Sequence, residues 1–360
     1  MNKQTRRQFL SSMALGSAGL AAGAGLSCAA VNGRPRMDSL PRDEGFYFVH
    51  ITDQHVRRKR RGDEGYRACV ASVNALQPRP SFVLMGGDMA FDGLYTERDE
   101  FEDQIQLYKS ISDTLRMPYY NCLGNHDLLG LSARRKVPVD DPEIGHKMIL
   151  DRLGMENSYY SFDHGDWHFV VLDSMEHVET SSGPTYRGQI SEEQLNWLAL
   201  DLAKAGDRPT MCVQHIAAFN NLAQVWNDFD LPAMYTRYVI RNNRDLREML
   251  QRHKVKALLQ GHSHRGEDYR YKNVWYITSP SASGAWWGGN WHGDSTGYTV
   301  LHCVGDRFTW ETRYFDWEHH LEPEDDLERE RIAEREAHEE EQRRLLAEEM
   351  AAAEALQESR

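Results

Sequence analysis

At 360 residues the chain holds one large domain or two small ones, and its 40% hydrophobic and 27% charged residues are ordinary for a globular protein. A formal net charge of −13 argues against a general nucleic-acid binder, because nothing balances it with a basic face. Much of the excess is local: residues 321–360 carry 15 Asp/Glu against 6 Arg, so the body is only mildly acidic.

The chain opens on Thr5-Arg6-Arg7-Gln8-Phe9-Leu10, a twin-arginine export pattern, followed by an Ala/Gly-rich, weakly apolar stretch over residues 13–30. That stretch is too weakly apolar for a comfortable transmembrane helix, so residues 1–30 are expected to be a signal peptide directing export to the periplasm or cell envelope. Gly25-Leu26-Ser27-Cys28 is an imperfect lipobox, while small residues around Ala30 suit a signal peptidase. Lipid attachment at Cys28, and with it any membrane anchoring, stays open.

Residues 46–52 (FYFVHIT) predict a buried strand that ends in Asp53-Gln54-His55. The spacing of Tyr66, Cys69, Val70, Val73 and Leu76 predicts a helix over 63–76 that stops before Pro78. Residues 82–85 are a second strand, ending in Gly86-Gly87-Asp88, and 96–115 a charged surface helix capped by Thr96. The strand over 117–122 delivers Leu123-Gly124-Asn125-His126-Asp127. There Gly124 is expected to permit a tight turn, Asn125 to offer a neutral oxygen, His126 to titrate near neutrality, and Asp127 to hold the imidazole in one tautomer.

Residues 128–157 lack periodicity and are expected to be a long loop with a helical piece over 144–153. Residues 159–163 and 167–173 flank His164-Gly165-Asp166 as a hairpin, and Ser191 caps a helix running through 204. A strand over 210–214 ends at His215, residues 235–253 are helical, and a strand over 255–259 ends in Gly261-His262-Ser263-His264. Residues 269–278, 298–304 and 307–315 are expected as antiparallel strands. The tail over 321–360 is expected to be a solvated acidic helix whose apolar residues sustain no heptad. Alternating strands and helices followed by hairpins indicate an α/β fold.

Five strand ends therefore carry Asp53 and His55, Asp88, Asn125 and His126, His215, and His262 and His264. One histidine at a strand end is more often structural than a ligand; five strand ends in succession point to a metal site. Mixed oxygen and imidazole donors suit Mn, Fe, Zn or Ni rather than Ca or a thiolate site, and the five cysteines include no Cys-x-x-Cys pair. Cys69, Cys122, Cys212 and Cys303 are expected to be buried thiols, with an oxidised pair conceivable outside the cytoplasm.

In this order the motifs resemble those of the calcineurin-like metallophosphoesterases, over residues 46–315, within a domain expected at 44–316. The resemblance implies a four-layer αββα sandwich of two mixed sheets. It implies one metal held by Asp53, His55, Asp88 and His264, and a second that shares Asp88 and is completed by Asn125, His215 and His262. A metal-bridged hydroxide would attack phosphorus, with His126 as general acid beside the metals and Asp127 orienting it. Two departures stand out: Ile216-Ala217-Ala218 replaces the usual proline-containing turn after His215, and Met89 stands where an Asn often follows the bridging Asp.

Trp286 and Trp287, set between glycines, are expected as an aromatic wall over the metals, or else as core packing; Arg187, Tyr186 and His177 are weaker candidates to reach the cleft. The expected substrate is a small organic phosphomonoester or phosphodiester. A cyclic-nucleotide phosphodiesterase or nuclease is the enzymatic alternative, although the acidic body disfavours long nucleic acid. A degenerate scaffold docking a partner through the tail is the non-enzymatic one.

Overall fold

The computed structural model describes residues 39–221, 238–291 and 293–325, with residues 330, 333, 337 and 344. Three parallel strands, β1 (Phe46–Ile51), β2 (Phe82–Gly86) and β3 (Tyr119–Cys122), form half of the first sheet. The antiparallel pair β12 (Gly297–Val304) and β13 (Arg307–Tyr314) extends it beyond β1, in the order β13-β12-β1-β2-β3. In the second sheet β5 (Trp167–Val171), β8 (Thr210–Val213), β9 (Ala257–Gln260) and β11 (Val274–Thr278) are parallel. Its edges, β4 (Tyr160–His164) and β10 (Glu267–Tyr271), are antiparallel.

Strand alternation sorts the side chains into two cores. Phe48, Phe82, Leu84, Leu301 and Trp310 of the first sheet meet Phe169, Val171, Met211, Val213 and Leu259 of the second in one apolar seam. The intervening residues, among them Val49, Ile51, Val83, Met85, Cys212 and Leu258, join the helices instead. They pack with Tyr66, Cys69 and Val73 of α1 (Gly62–Asn74), and Phe101, Ile105 and Tyr108 of α2 (Arg98–Ser112). Leu198 and Leu202 of α4 (Glu192–Ala205) and Leu246 and Leu250 of α5 (Asn243–Arg252) belong to the same cluster, and a short α3 spans Lys147–Leu153. Helix, sheet, sheet and helix are the four layers expected. Each fully buried large apolar side chain contributes roughly 1.5–3 kcal/mol relative to exposure.

Several local expectations need correction. Residues 269–278 are a hairpin, β10 and β11, turned by Lys272 and Asn273 in left-handed backbone (φ 48° and 68°), and β11 runs parallel to β9. The segment after Asp173 is a two-stranded ribbon, β6 (Met175–Thr180) and β7 (Gly183–Gly188), whose polar sequence gave no alternating signal. Thr96 does not cap α2, for its hydroxyl donates to the Asp92 carbonyl; Ser191 does cap α4, accepting the Gln194 N–H at 3.1 Å.

Residues 1–30, residues 235–237 of one expected helix and most of the tail lie outside the described residues; the four described positions beyond Asp325 are helical. Among the described residues no helix is long and apolar enough to cross a membrane. Cys69, Cys122, Cys212 and Cys303 are buried free thiols.

Candidate metal centre

The loops that leave β1, β2, β3, β8 and β9 converge, stitched together by backbone bonds from Asp53 N to Gly87 O (2.9 Å), His55 N to Asp88 O (2.8 Å) and Gly261 N to His215 O (3.0 Å). They assemble two trios of ligand atoms: Asp53, His55 and His264, and Asp88, His215 and His262, the atoms of each within 4.8 Å of one another. Asp88 stands between the trios. Its Oδ2 lies 3.1 Å from His215 Nε2 and 3.5 Å from His55 Nε2, while its Oδ1 accepts the His126 N–H at 2.8 Å.

The donor geometry fits cations. His55 Nδ1 faces Phe91 O (3.2 Å), His264 Nδ1 faces Gly284 O (2.6 Å) and His215 Nδ1 faces Gly86 O (2.9 Å). A carbonyl only accepts, so each Nδ1 carries the proton and each Nε2 presents a lone pair. The Nε2 atoms of His55 and His264 lie 3.1 Å apart, and His215 Nε2 lies 3.2 Å from His262 Nδ1. In the first pair the neutral rings face lone pair to lone pair, and at that separation they repel unless a positive charge lies near both. Asn125 Oδ1, on the loop beside Asp88, is buried without a hydrogen-bond partner among the described residues, as a neutral ligand awaiting a cation would be.

This packing distorts the backbone. Asp53, His55, Asp88, His262 and His264 all have left-handed φ, between 43° and 70°. Non-glycine residues rarely adopt it, and clusters of them mark sites where the surroundings impose the conformation. Gly124 serves differently from the expected tight turn. Its φ of −112° is open to any residue, but a Cβ there would sit 2.2 Å from Asp88 Oδ1. Glycine is required because the third loop presses directly on the shared carboxylate.

Burial alone would raise Asp88, but His215 and the neighbouring imidazoles outweigh it and hold the carboxyl well below the usual carboxylate range. Burial drives His55 down to about 3 against the pull of Asp88. His126 moves the other way: burial is outweighed by Asp88 and Asp92, and its pKa rises. Its ring stands edge-on to His55 at 5.0 Å, with Nδ1 3.3 Å from Asp92 Oδ1.

Asp127 does not orient His126. Its carboxylate accepts the N–H groups of Met89 (2.9 Å), Ala90 (3.0 Å) and Gly124 (2.8 Å), clamping the second loop to the third. Asp92 is the carboxylate beside the imidazole, at ion-pair distance from Nδ1. Its signal was present only as an acid four residues after Asp88.

The paired tryptophans divide. Trp286 is half-buried, its ring 4.5 Å from His264, 5.8 Å from His55 and 5.1 Å from Trp291. Trp287 is fully buried and forms no wall over the metals; its Nε1–H points at the Gln54 and His55 carbonyls, each at 3.1 Å, and so braces the first metal loop from behind. His177 and Arg187 pair within their own ribbon, with Glu179 (3.1 Å) and Glu176 (3.6 Å), and Tyr186 lies opposite His177 there. Sequence reasoning passed over Tyr238, whose ring lies 5.3 Å from His262.

Two adjoining trios of imidazole and carboxylate at the strand ends of a double-sheet sandwich are the arrangement of a class: hydrolases that work with two neighbouring metal ions. Within it, the chain belongs to the calcineurin-like phosphoesterase family, whose model matches residues 46–266. It is therefore a hydrolase of phosphoric esters. It is similar to a 3',5'-cyclic-nucleotide phosphodiesterase of Nostoc sp., 27% identical over 219 residues, which are 61% of this chain and 68% of that protein. It is also similar to serine/threonine-protein phosphatase CPPED1 of Mus musculus, 26% identical over 226 residues, 62% of this chain and 66% of that one. The alignments thus span about two thirds of these relatives' own length. Its fold is that of a dimetal phosphatase from Danio rerio, with a TM-score of 0.54 at 15% identity, covering 76% of this chain and 100% of the other.

Proposed function

We propose that the protein hydrolyses small organic phosphate esters at a dinuclear centre held by Asp53, His55 and His264 on one side and Asn125, His215 and His262 on the other, with Asp88 shared. The single observation that carries this reading is the position of Asp88 Oδ2, within 3.5 Å of a histidine of each trio. The oxygen and imidazole donor set suits Mn, Fe, Zn or Ni. When bound, a pair of such ions polarises the phosphoryl oxygens and activates water for in-line attack.

The chain's own groups supply the rest. His126, its pKa raised by Asp88 and Asp92 over the opposing effect of burial, favours its protonated form more than a free imidazole does. It lies beside the ligands rather than among them, and so serves as the acid that protonates the leaving alkoxide. Asp92 favours the protonated ring, and Asp127 keeps the loop carrying Asp88 in register. Trp286 offers a flat apolar face next to His264 for the organic part of the ester.

Between mono- and diesters, that aromatic face gives a second reading, a cyclic-nucleotide phosphodiesterase, its support: a base stacks where an alkyl group does not. A degenerate scaffold is disfavoured because every expected ligand position is filled. Hydrolysis of a panel of phosphate mono- and diesters, before and after chelation, tests the proposal; full turnover by metal-depleted protein would overturn it. Export by the twin-arginine route belongs to the same proposal and rests on residues 5–10. The Arg6→Lys, Arg7→Lys double variant should accumulate inside the cell, and unchanged delivery to the envelope would refute that part.

A further inference from the structure

The chain does not leave the sandwich at the end of β13. Phe315 is buried and donates its N–H to Thr296 O at 3.2 Å, and Trp317 stands edge-on to Trp287 at 5.9 Å. The acidic tail begins directly afterwards, and its first carboxylates are engaged. Glu322 Oε1 accepts the Arg60 N–H at 3.0 Å. Asp325 takes Nε and Nη2 of the same arginine in a two-toothed pair, both at 3.0 Å, with only 12% of the arginine and 16% of the aspartate side chain exposed. Glu322 N donates to Asp325 at 3.0 Å, so the two acids are themselves held in one turn.

The third nitrogen of the Arg60 guanidinium turns toward the tryptophan loop beside the metal centre. Its Nη1–H reaches the Trp286 carbonyl at 3.3 Å, and the Trp286 ring is the aromatic face beside His264 and His55. Both ends of that link are strained: Arg60 and Trp286 each have left-handed backbone, φ 55° and 51°. A bulky side chain holds that conformation only where its surroundings fix it. A planar guanidinium with three donors committed is suited to fix it, as a lysine ammonium is not.

We infer that residues 315–325 form a strap whose carboxylates hold Arg60 as a positioning residue, and that Arg60 in turn sets the Trp286 face over the metal centre. The strap would make the entry of the tail a determinant of substrate preference, acting on esters with an aromatic group and sparing those without. The functional consequence rests on the phosphoesterase reading; the positioning itself does not.

The test uses the full-length, metal-loaded protein and its Arg60→Gln, Arg60→Lys, Asp325→Asn and Glu322→Ala variants, with a chain ending at residue 325 as control. The probes are bis(4-nitrophenyl) phosphate and 4-nitrophenyl phosphate against dimethyl phosphate and glycerol phosphate. The expected result for Arg60→Gln and Asp325→Asn is KM up about tenfold on the aryl esters, with kcat within about twofold, alkyl esters unaffected and bound metal unchanged. The chain ending at residue 325 should match the full protein on every probe.

Acrylamide quenching of Trp286, obtained by subtracting the Trp286→Phe signal, should increase in the same variants whether or not any ester is turned over. If the parent protein hydrolyses none of the esters, the phosphoesterase reading fails while quenching still decides the strap. Equal changes on aryl and alkyl esters, or unaltered quenching, would overturn the inference. Should Arg60→Gln fail to fold, Arg60→Lys and Asp325→Asn carry the same readouts.

Discussion

The seam between the sheets and the rim at their strand ends are built on opposite terms. In the seam Phe48, Phe82, Phe169 and Met211 are buried on strands that are short, paired on both sides and relaxed in backbone. At the rim, a few residues further along the same strands, buried carboxylates and imidazoles face one another, and five of the candidate ligand residues sit in left-handed backbone. Neither region explains the other's composition alone. The seam fixes where each strand stops, and strands stopped in fixed places can carry loops that would relax elsewhere. Stability and chemistry are therefore separable here, and substitutions should affect one more than the other.

The largest effect is expected from Asp88→Ala. Losing the shared carboxylate should lower kcat/KM on the order of 10³-fold or more and deplete bound metal. The metal-free protein should stay folded with a lower melting temperature, since His215 loses its partner at 3.1 Å and the His126 N–H its acceptor at 2.8 Å. Parallel metal analysis and thermal melts check both halves, and a collapse of the fold would erase the distinction between seam and rim. Next comes His126→Ala, expected to lower kcat by about 10²–10⁴-fold with metal content unchanged.

In the seam, Phe169→Ala should destabilise the protein by about 3–5 kcal/mol in denaturant unfolding. The kcat of the molecules still folded at 25 °C should stay near that of the parent. The smallest effect is expected beyond both regions, where His168 is clamped by Asp163 (2.7 Å) and Asp201 (2.8 Å). Burial lowers its pKa, but the bonds to Asp201 and Asp163 outweigh that and raise it. A histidine raised in the folded state stabilises fully below its unfolded value of about 6.5 and loses that contribution as pH rises through the folded value. The stability gap between the parent and His168→Gln should therefore be widest near about pH 5.5 and narrow toward alkaline pH; a gap that widens instead would contradict the clamp.

What the sequence disclosed and what it hid follow the same division. Each buried strand is a short apolar run that stops at a polar residue, so the convergence of Asp53, Asp88, His215 and His262 was legible from a few neighbouring residues. Roles that depend on a distant partner were not. Asp127 adjoins His126 in sequence, but its hydrogen-bond donors include Met89 and Ala90 on another loop, and Asp92 faces the imidazole instead. Trp286 and Trp287 are indistinguishable by composition; only the packing of Trp287 behind the first metal loop separates them. The ribbon β6–β7 escaped because a largely exposed pair of strands needs no apolar alternation. The Arg60 strap escaped because it joins residues 262 and 265 positions apart.

The central claim, that strand ends from both sheets cage a pair of cations used to hydrolyse phosphate esters, is tested most directly by titrating chelator-stripped protein with Mn or Zn. Bound metal and turnover of bis(4-nitrophenyl) phosphate and 4-nitrophenyl phosphate would be followed together. Turnover should climb with occupancy and level off at two ions per chain. Stripped protein that works at full rate, or bound metal that leaves the rate unmoved, would contradict the account.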